Sequence, residues 1–117
     1  MGFSKKDFCA KYAILPGDPG RVQKIAKHLS NPSKITQNRE YNSYIGKLDG
    51  ENIIVCSTGI GGPSSAIAVE ELYLAGVRYF IRVGTCGGID LNVRSGDLVI
   101  ANSAIRQEGT SLHYAPI

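Results

Sequence analysis

The chain has 117 residues, 43% of them hydrophobic and 20% charged, with a formal net charge of +3. That apolar share supports one globular unit with its own core and excludes an intrinsically disordered chain. So mild a charge, with no run of one sign, leaves no electrostatic footprint for nucleic acid, and no apolar run reaches the roughly 20 residues that cross a bilayer.

Residues 1–11 are polar and basic and read as a loosely held arm, with Phe3 and Phe8 as docking side chains. Tyr12-Ala13-Ile14-Leu15, ended by Pro16, is a short buried strand. Asp18 then stands where it can cap a helix whose first residue, Pro19, has no N–H to lose. Val22, Ile25, Ala26 and Leu29 recur at i, i+3, i+4 and i+7, giving that helix one apolar face to about Leu29. Arg21 falls in its first turn, where the helix dipole disfavours a cation. Either an anion shares that end, or Arg21 is an ordinary solvated arginine.

Asn31-Pro32-Ser33 reads as a loop, and residues 34–48 as extended segments around Asn38-Arg39-Glu40-Tyr41. The Asp49-Gly50 hairpin signal closes them, and a strand returns over 52–57. As strand neighbours, Arg39 and Glu40 point to opposite faces, so at most one faces a given site; a solvent-facing, ion-pairing strand is the plainer reading. Ser57-Thr58-Gly59-Ile60-Gly61-Gly62 forms a glycine-rich turn into a helix over 63–75, which Gly76 stops. Free N–H groups at such a helix start suit phosphate or a hydroxylated ligand, although tight helix–sheet packing also explains glycines there. The dinucleotide fingerprint is incomplete, because Ser64 holds its third glycine position and no acidic residue ends the next strand. A Walker loop is ruled out by the lack of Gly-Lys-Ser/Thr. Ile67, Val69, Leu72 and Leu74 make the helix apolar nearly all round, so it is expected to be covered on more than one side, by another subunit or a further layer.

Residues 79–88, Tyr-Phe-Ile-Arg-Val-Gly-Thr-Cys-Gly-Gly, read as a central buried strand closing in a small-residue turn. Burying a guanidinium costs several kcal/mol unless acceptors meet it. Arg82 therefore marks an anion pocket at the strand's end, or else it snorkels or pairs with a carboxylate such as Asp97. A loop over 89–95 and a second buried strand over 96–101 follow, and residues 107–117 hold nothing like a closing element. His113, without a Ser or Cys nucleophile pattern or an acid partner, reads as a plain loop histidine. Cys9, Cys56 and Cys86 are odd in number, lack CxxC spacing and follow no signal peptide, which fits free thiols in a reducing, cytoplasmic setting.

Five stretches, in this order and spacing, closely resemble the uridine phosphorylase family of the nucleoside phosphorylase superfamily. They are Leu15-Pro16-Gly17-Asp18-Pro19-Gly20-Arg21, Asn38-Arg39-Glu40, Cys56 to Ser64, Ile81-Arg82-Val83-Gly84-Thr85 and Glu108 to Pro116. The resemblance runs from about Gly2 to Ile117, and the Thr58–Ser64 motif with the Ser111–Pro116 ending is similar to the uridine rather than the purine branch. It implies an α/β protein with a three-layer αβα fold around a central mixed sheet, incomplete at its C-terminus. Residues 1–117 would be the N-terminal, phosphate-binding part of a single domain.

The activity the resemblance implies is reversible phosphorolysis of uridine to uracil and ribose 1-phosphate, without an organic cofactor. It also implies that Gly17, Arg21, Arg82 and Thr85 hold the phosphate, with Arg82 and Thr85 catalytic, and that Arg39 is supplied across a subunit interface. Cationic forks fit a phosphate dianion, and a reaction through an oxocarbenium-like centre needs electrostatic support rather than a protein nucleophile. Cys86 and Gly87 would form the turn beside base and ribose, where family members often carry a hydroxyl residue at the position of Cys86. Glu40, Ile60 and Ser64 match a monovalent cation site between paired subunits, suited to potassium, in a homo-oligomer built from dimers and often hexameric. Family chains are much longer, and their uracil-reading and ribose-holding residues lie beyond this stretch. The chain is therefore expected to be a fragment that binds phosphate weakly, does not turn over uridine alone, and associates through exposed apolar surface. A purine nucleoside phosphorylase, a nucleosidase using water, and a non-catalytic anion-binding module are the alternatives; the three arginines favour phosphate.

Overall fold

The computed structural model describes Met1 and residues 9–116, so the aromatic side chains expected to dock the N-terminal arm lie outside the described residues. Five strands and two α-helices follow one another as β1 (Tyr12–Pro16), α1 (Pro19–Ala26), β2 (Ser30–Asn38), β3 (Tyr41–Leu48), β4 (Glu51–Cys56), α2 (Gly62–Ala75) and β5 (Tyr79–Val83), and a 3-10 turn covers Thr110–His113. The strands make one mixed sheet in the order β2-β3-β4-β1-β5. Strand β1 is parallel to both β4 and β5, while β2, β3 and β4 form an antiparallel meander.

Local chemistry accounts for the element ends. Asp18 caps α1 by accepting the Gly20 N–H at 2.8 Å, with Pro19 in the first turn. The apolar face expected to reach Leu29 does so, but through a tightened turn beyond Ala26 in which the Leu29 N–H donates to the Ala26 carbonyl. Helix α2 ends at Gly76 in the left-handed region (φ 118), and the Val77 N–H reaches back to the Leu72 carbonyl at 3.0 Å. Asp49 and Gly50 both take positive φ, 50 and 84, the mirror-image turn that a tight hairpin between β3 and β4 requires.

Alternation along the inner strands sorts the core onto two faces. Ala13 and Leu15 of β1 and Ile54 and Cys56 of β4 pack with Leu72 of α2, whereas Ile53 and Val55 pack with Val22, Ala26 and Leu29 from α1 and the turn beyond it. The helices therefore cover opposite faces, and the expected helix–sheet–helix layering is present. Gly46 permits the close approach of the α1 exit to β3, since a Cβ there would sit 2.6 Å from the Leu29 Cβ.

The structure corrects four expectations. Asn31-Pro32-Ser33 belongs to β2, with Asn31 at φ 51 and the register slipping between Ser30 and Ser33; proline is tolerated because an edge strand's outward N–H has no ladder partner to lose. Arg39 and Glu40 are not strand neighbours but the turn between the paired Asn38 and Tyr41, with Arg39 at φ 54. Strand β5 lies at the sheet's edge rather than its centre, with Ile81 61% exposed. Residues 96–101 form no strand, and Leu98 and Ile100 are almost fully exposed. A buried strand requires a neighbour to pair with, and no described element lies outside β5. Ile67, Val69 and Leu74 of α2 are exposed as well, where the helix was expected to be covered on more than one side by another subunit or a further layer; no described element covers them.

Candidate functional site

Because β1, β4 and β5 run parallel, their carboxyl ends reach the same edge of the sheet, and the loops that follow them issue side by side. The helices entered from β1 and β4 depart on opposite faces, which opens a crevice between those two loops, the usual place for a ligand in such a sheet. The Thr58 N–H donates to the Pro16 carbonyl and the Gly59 N–H to the Gly17 carbonyl, both at 3.0 Å, so the parallel ladder continues past the strand ends and holds the crevice floor.

Three segments bring polar groups to this floor. Arg82, at the end of β5, donates through Nη1 to the carbonyls of Val83 (2.9 Å) and Leu15 (3.3 Å). Its Nη2 lies against Gly17, 2.9 Å from the place a Cβ would occupy. The alternative pairing with Asp97 is not made, since that carboxylate accepts the Arg94 N–H at 2.7 Å. Arg21, in the first turn of α1, points Nη2 at the Thr85 Oγ1, a long contact of 3.4 Å that joins the α1 and β5 loops. Gly17, Arg21, Arg82 and Thr85 are thus brought together. Among the described residues no carboxylate forms an ion pair with Arg21, Arg39 or Arg82. Two guanidinium groups, Arg21 half-buried and Arg82 exposed rather than buried as the strand reading expected, stand beside a hydroxyl and a glycine elbow as a cationic cradle open to an anionic ligand.

Arg39 does not join this group through any hydrogen bond between described residues; it projects from the β2–β3 turn. Cys86 and Gly87 follow Thr85 in an exposed turn, with open space around Gly87. Glu40 and Ser64 approach each other over Gly59 (φ 69), where a Cβ would meet the Ser64 Oγ at 3.1 Å and the Glu40 Cγ at 3.2 Å. Ile60 is fully exposed, so its carbonyl is the atom it could offer a cation. A carboxylate, a hydroxyl and a carbonyl are hard oxygen donors that suit an alkali ion. Among the described residues no three His, Cys, Asp or Glu side chains gather as a transition-metal site would need.

Sequence reasoning passed over Ser57 and Asn42. The fully buried Ser57 hydroxyl donates to the Glu40 carbonyl at 2.6 Å and accepts the Asn42 N–H at 2.8 Å. Asn42 in turn donates its Nδ2 to the Pro19 carbonyl at 3.2 Å. The available signal was a small hydroxyl residue set directly after an apolar strand and before glycines, where a buried donor must find partners. Glu108 was quoted only as part of a motif. Its carboxylate accepts the Ser111 hydroxyl and the Ser111 and Thr110 N–H groups, which hold it below the ordinary carboxylate range, and it rests against Gly62 at the start of α2. His113 lines an open cleft there with Pro63, away from the cationic cradle.

The cysteines differ sharply. Burial pushes the Cys56 thiol up to about 12, whereas Cys9 and Cys86 are exposed. A maleimide at neutral pH is expected to label two thiols per folded chain and the third only in denaturant; three rapid labels in the native state would contradict this packing.

The profile described as Phosphorylase superfamily matches residues 11–117. Uridine phosphorylase of Salmonella typhimurium is 48% identical over 118 aligned positions, which take in 100% of this chain and 47% of that protein. Uridine phosphorylase of Treponema pallidum is 57% identical over 106 positions, 91% of this chain and 41% of the relative. Guanosine phosphorylase of Halorubrum lacusprofundi is 49% identical over 105 positions, 90% and 44% of the two chains. The chain spans about half the length of the curated relatives it matches.

Proposed function

The chain belongs to the phosphorylase superfamily, and on that premise we propose that residues 1–117 are the N-terminal, phosphate-binding part of a uridine phosphorylase domain. The observation that carries this reading is the meeting of Arg21, Arg82, Thr85 and Gly17 at the carboxyl edge of three parallel strands, with no carboxylate to neutralise the arginines among the described residues. Arg82, anchored by two carbonyls, presents its remaining N–H groups to phosphate oxygens. Arg21 closes the other side, and the Thr85 hydroxyl sits between phosphate and sugar.

In the proposed reaction a phosphate oxygen attacks the anomeric carbon of the nucleoside. The C1′–N bond breaks, its electron pair leaves with the base, and the base then takes a proton from solvent. The products are free base and ribose 1-phosphate. Positive charge that develops on the ribose is stabilised by the dianion the arginines hold in place, so no protein nucleophile and no organic cofactor enter. The Cys86-Gly87 turn faces the nucleoside side. Arg39, which leaves its own chain's cradle free, completes the phosphate shell of a neighbouring copy in a homo-oligomer. Glu40, Ser64 and the Ile60 carbonyl would hold a potassium ion near that boundary, supplying positive charge beside Glu40. The cytoplasm is the proposed compartment, consistent with three free cysteines and with no described helix long and apolar enough to cross a membrane.

The 117 residues alone are proposed to bind phosphate without releasing uracil. Phosphate is expected to raise the melting temperature while chloride at equal ionic strength does not, because only a ligand of the folded state stabilises it. An unmoved transition rejects the phosphate site, and brisk uracil release from uridine rejects the division of labour. Guanosine phosphorolysis in the same assay would favour the purine reading, which the Halorubrum relative supports.

A further inference from the structure

We infer that Ser57 is a positioning residue for Arg39, an inference that rests on the phosphate-binding reading above. Arg39 occupies the left-handed region (φ 54), a conformation an arginine seldom adopts unless the surroundings enforce it. Neither residue of the Arg39-Glu40 turn is glycine or asparagine, so the restraint must come from outside the turn.

The entry to the turn is fixed by the Asn38–Tyr41 pair of the β2–β3 ladder, and its exit by Ser57. The Ser57 hydroxyl takes hold of two consecutive points of the exit, the Glu40 carbonyl (2.6 Å) and the Asn42 N–H (2.8 Å). The Ser57 N–H adds a third bond, to the Asn42 carbonyl at 3.0 Å. Tyr41, between those points, is buried and donates its hydroxyl to the Ser64 carbonyl at 3.0 Å, while Asn42 reaches the Pro19 carbonyl at the start of α1. The turn that carries Arg39 is therefore bolted to the glycine-rich loop and to the helix that carries Arg21. Ser57 itself touches no ligand, because its side chain is fully buried and its hydroxyl is engaged by the turn. Its influence on phosphate therefore passes through the residues it holds, and Arg39, on the turn it clasps directly, is the one the inference assigns. Removing the hydroxyl leaves a partly buried carbonyl and a partly buried N–H without this partner, and the turn is then free to relax towards a backbone that arginine prefers.

A double-mutant cycle read as phosphate dissociation constants by calorimetry tests this, on chain that sedimentation shows to be associated, since Arg39 acts on a neighbouring copy, and with folding checked by circular dichroism. Arg39→Ala is expected to weaken phosphate about tenfold, the usual scale for losing one charge-assisted contact. Ser57→Ala should reproduce most of that loss, and the double variant should bind no worse than Arg39→Ala alone. A Ser57 variant that binds like the parent, losses that multiply in the double variant, or an Arg39 variant that binds normally would each overturn the inference. If Ser57→Ala does not fold, Ser57→Cys keeps the volume while weakening both bonds and serves in its place. Should the parent chain bind no phosphate, the underlying reading is what fails, and the inference falls with it.

Discussion

Replacing Arg82 with alanine is expected to abolish the rise in melting temperature proposed for the parent chain in phosphate. Arg82 is the best-anchored of the three arginines: the Leu15 and Val83 carbonyls fix Nη1, so its fork is oriented before the ligand arrives and little side-chain freedom is lost on binding. Hydrogen bonds to a charged partner contribute about 1.5–3 kcal/mol, and a bidentate grip approaches the upper end, so the variant should lose roughly a hundredfold in affinity. Lysine at this position recovers only part of that, since an ammonium cannot both satisfy two carbonyls and present a flat fork. Folding itself should change little, because the anchoring carbonyls stand at strand ends where water can replace the guanidinium. An Arg82→Ala chain that phosphate still stabilises fully would remove Arg82 from the site.

A single added methyl at Gly17 is expected to damage both binding and stability. Gly17 does not need glycine for its backbone angles, since its φ is not positive; it needs the space. A Cβ would meet the Arg82 Nη2 at 2.9 Å and the Gly59 carbonyl at 3.2 Å. The guanidinium can swing aside, which costs phosphate affinity by spoiling its aim. The Gly59 carbonyl cannot do so as easily, because the same peptide segment is held by the bond from the Gly59 N–H to the Gly17 carbonyl. Overpacking of this kind costs about 1–3 kcal/mol, and each kcal/mol lowers the melting point of a domain this size by roughly 4–8 °C. Gly17→Ala should therefore melt several degrees lower and respond to phosphate no better than Arg82→Ala. A variant with parental melting and parental phosphate response would show that the crowding is relieved elsewhere.

Local signals in the sequence were read well where one residue type answers one backbone demand. Asp18 before Pro19, Asp49-Gly50 and Gly76 each sit at the cap or turn their chemistry calls for. The arginines of the cradle were singled out for a similar reason, since one inside an apolar strand and another at a helix start invite an anion, although snorkelling and plain solvation accounted for them equally well. What failed depended on neighbours. A run such as Leu98-Val99-Ile100 looks like a buried strand, but burial is a property of whatever pairs beside it, and no described strand does. The centrality given to β5 failed in the same way. Arg39-Glu40 misled differently: a turn carried by an arginine in the left-handed region has no sequence signature, because the constraint lies in Ser57, eighteen positions downstream of Arg39. Polar clasps of that kind become visible only when the chain is folded.

The sheet order also bears on assembly. Strands β2, β3 and β4 are chain neighbours joined by tight turns and can zip up with short loop closures, whereas β1 must insert between β4 and β5, partners far from it in sequence. The cradle hangs from that insertion, so it is completed at the end of folding rather than at its beginning. In pulse-labelled hydrogen exchange, amides of the meander should therefore gain protection ahead of those in Tyr12–Pro16.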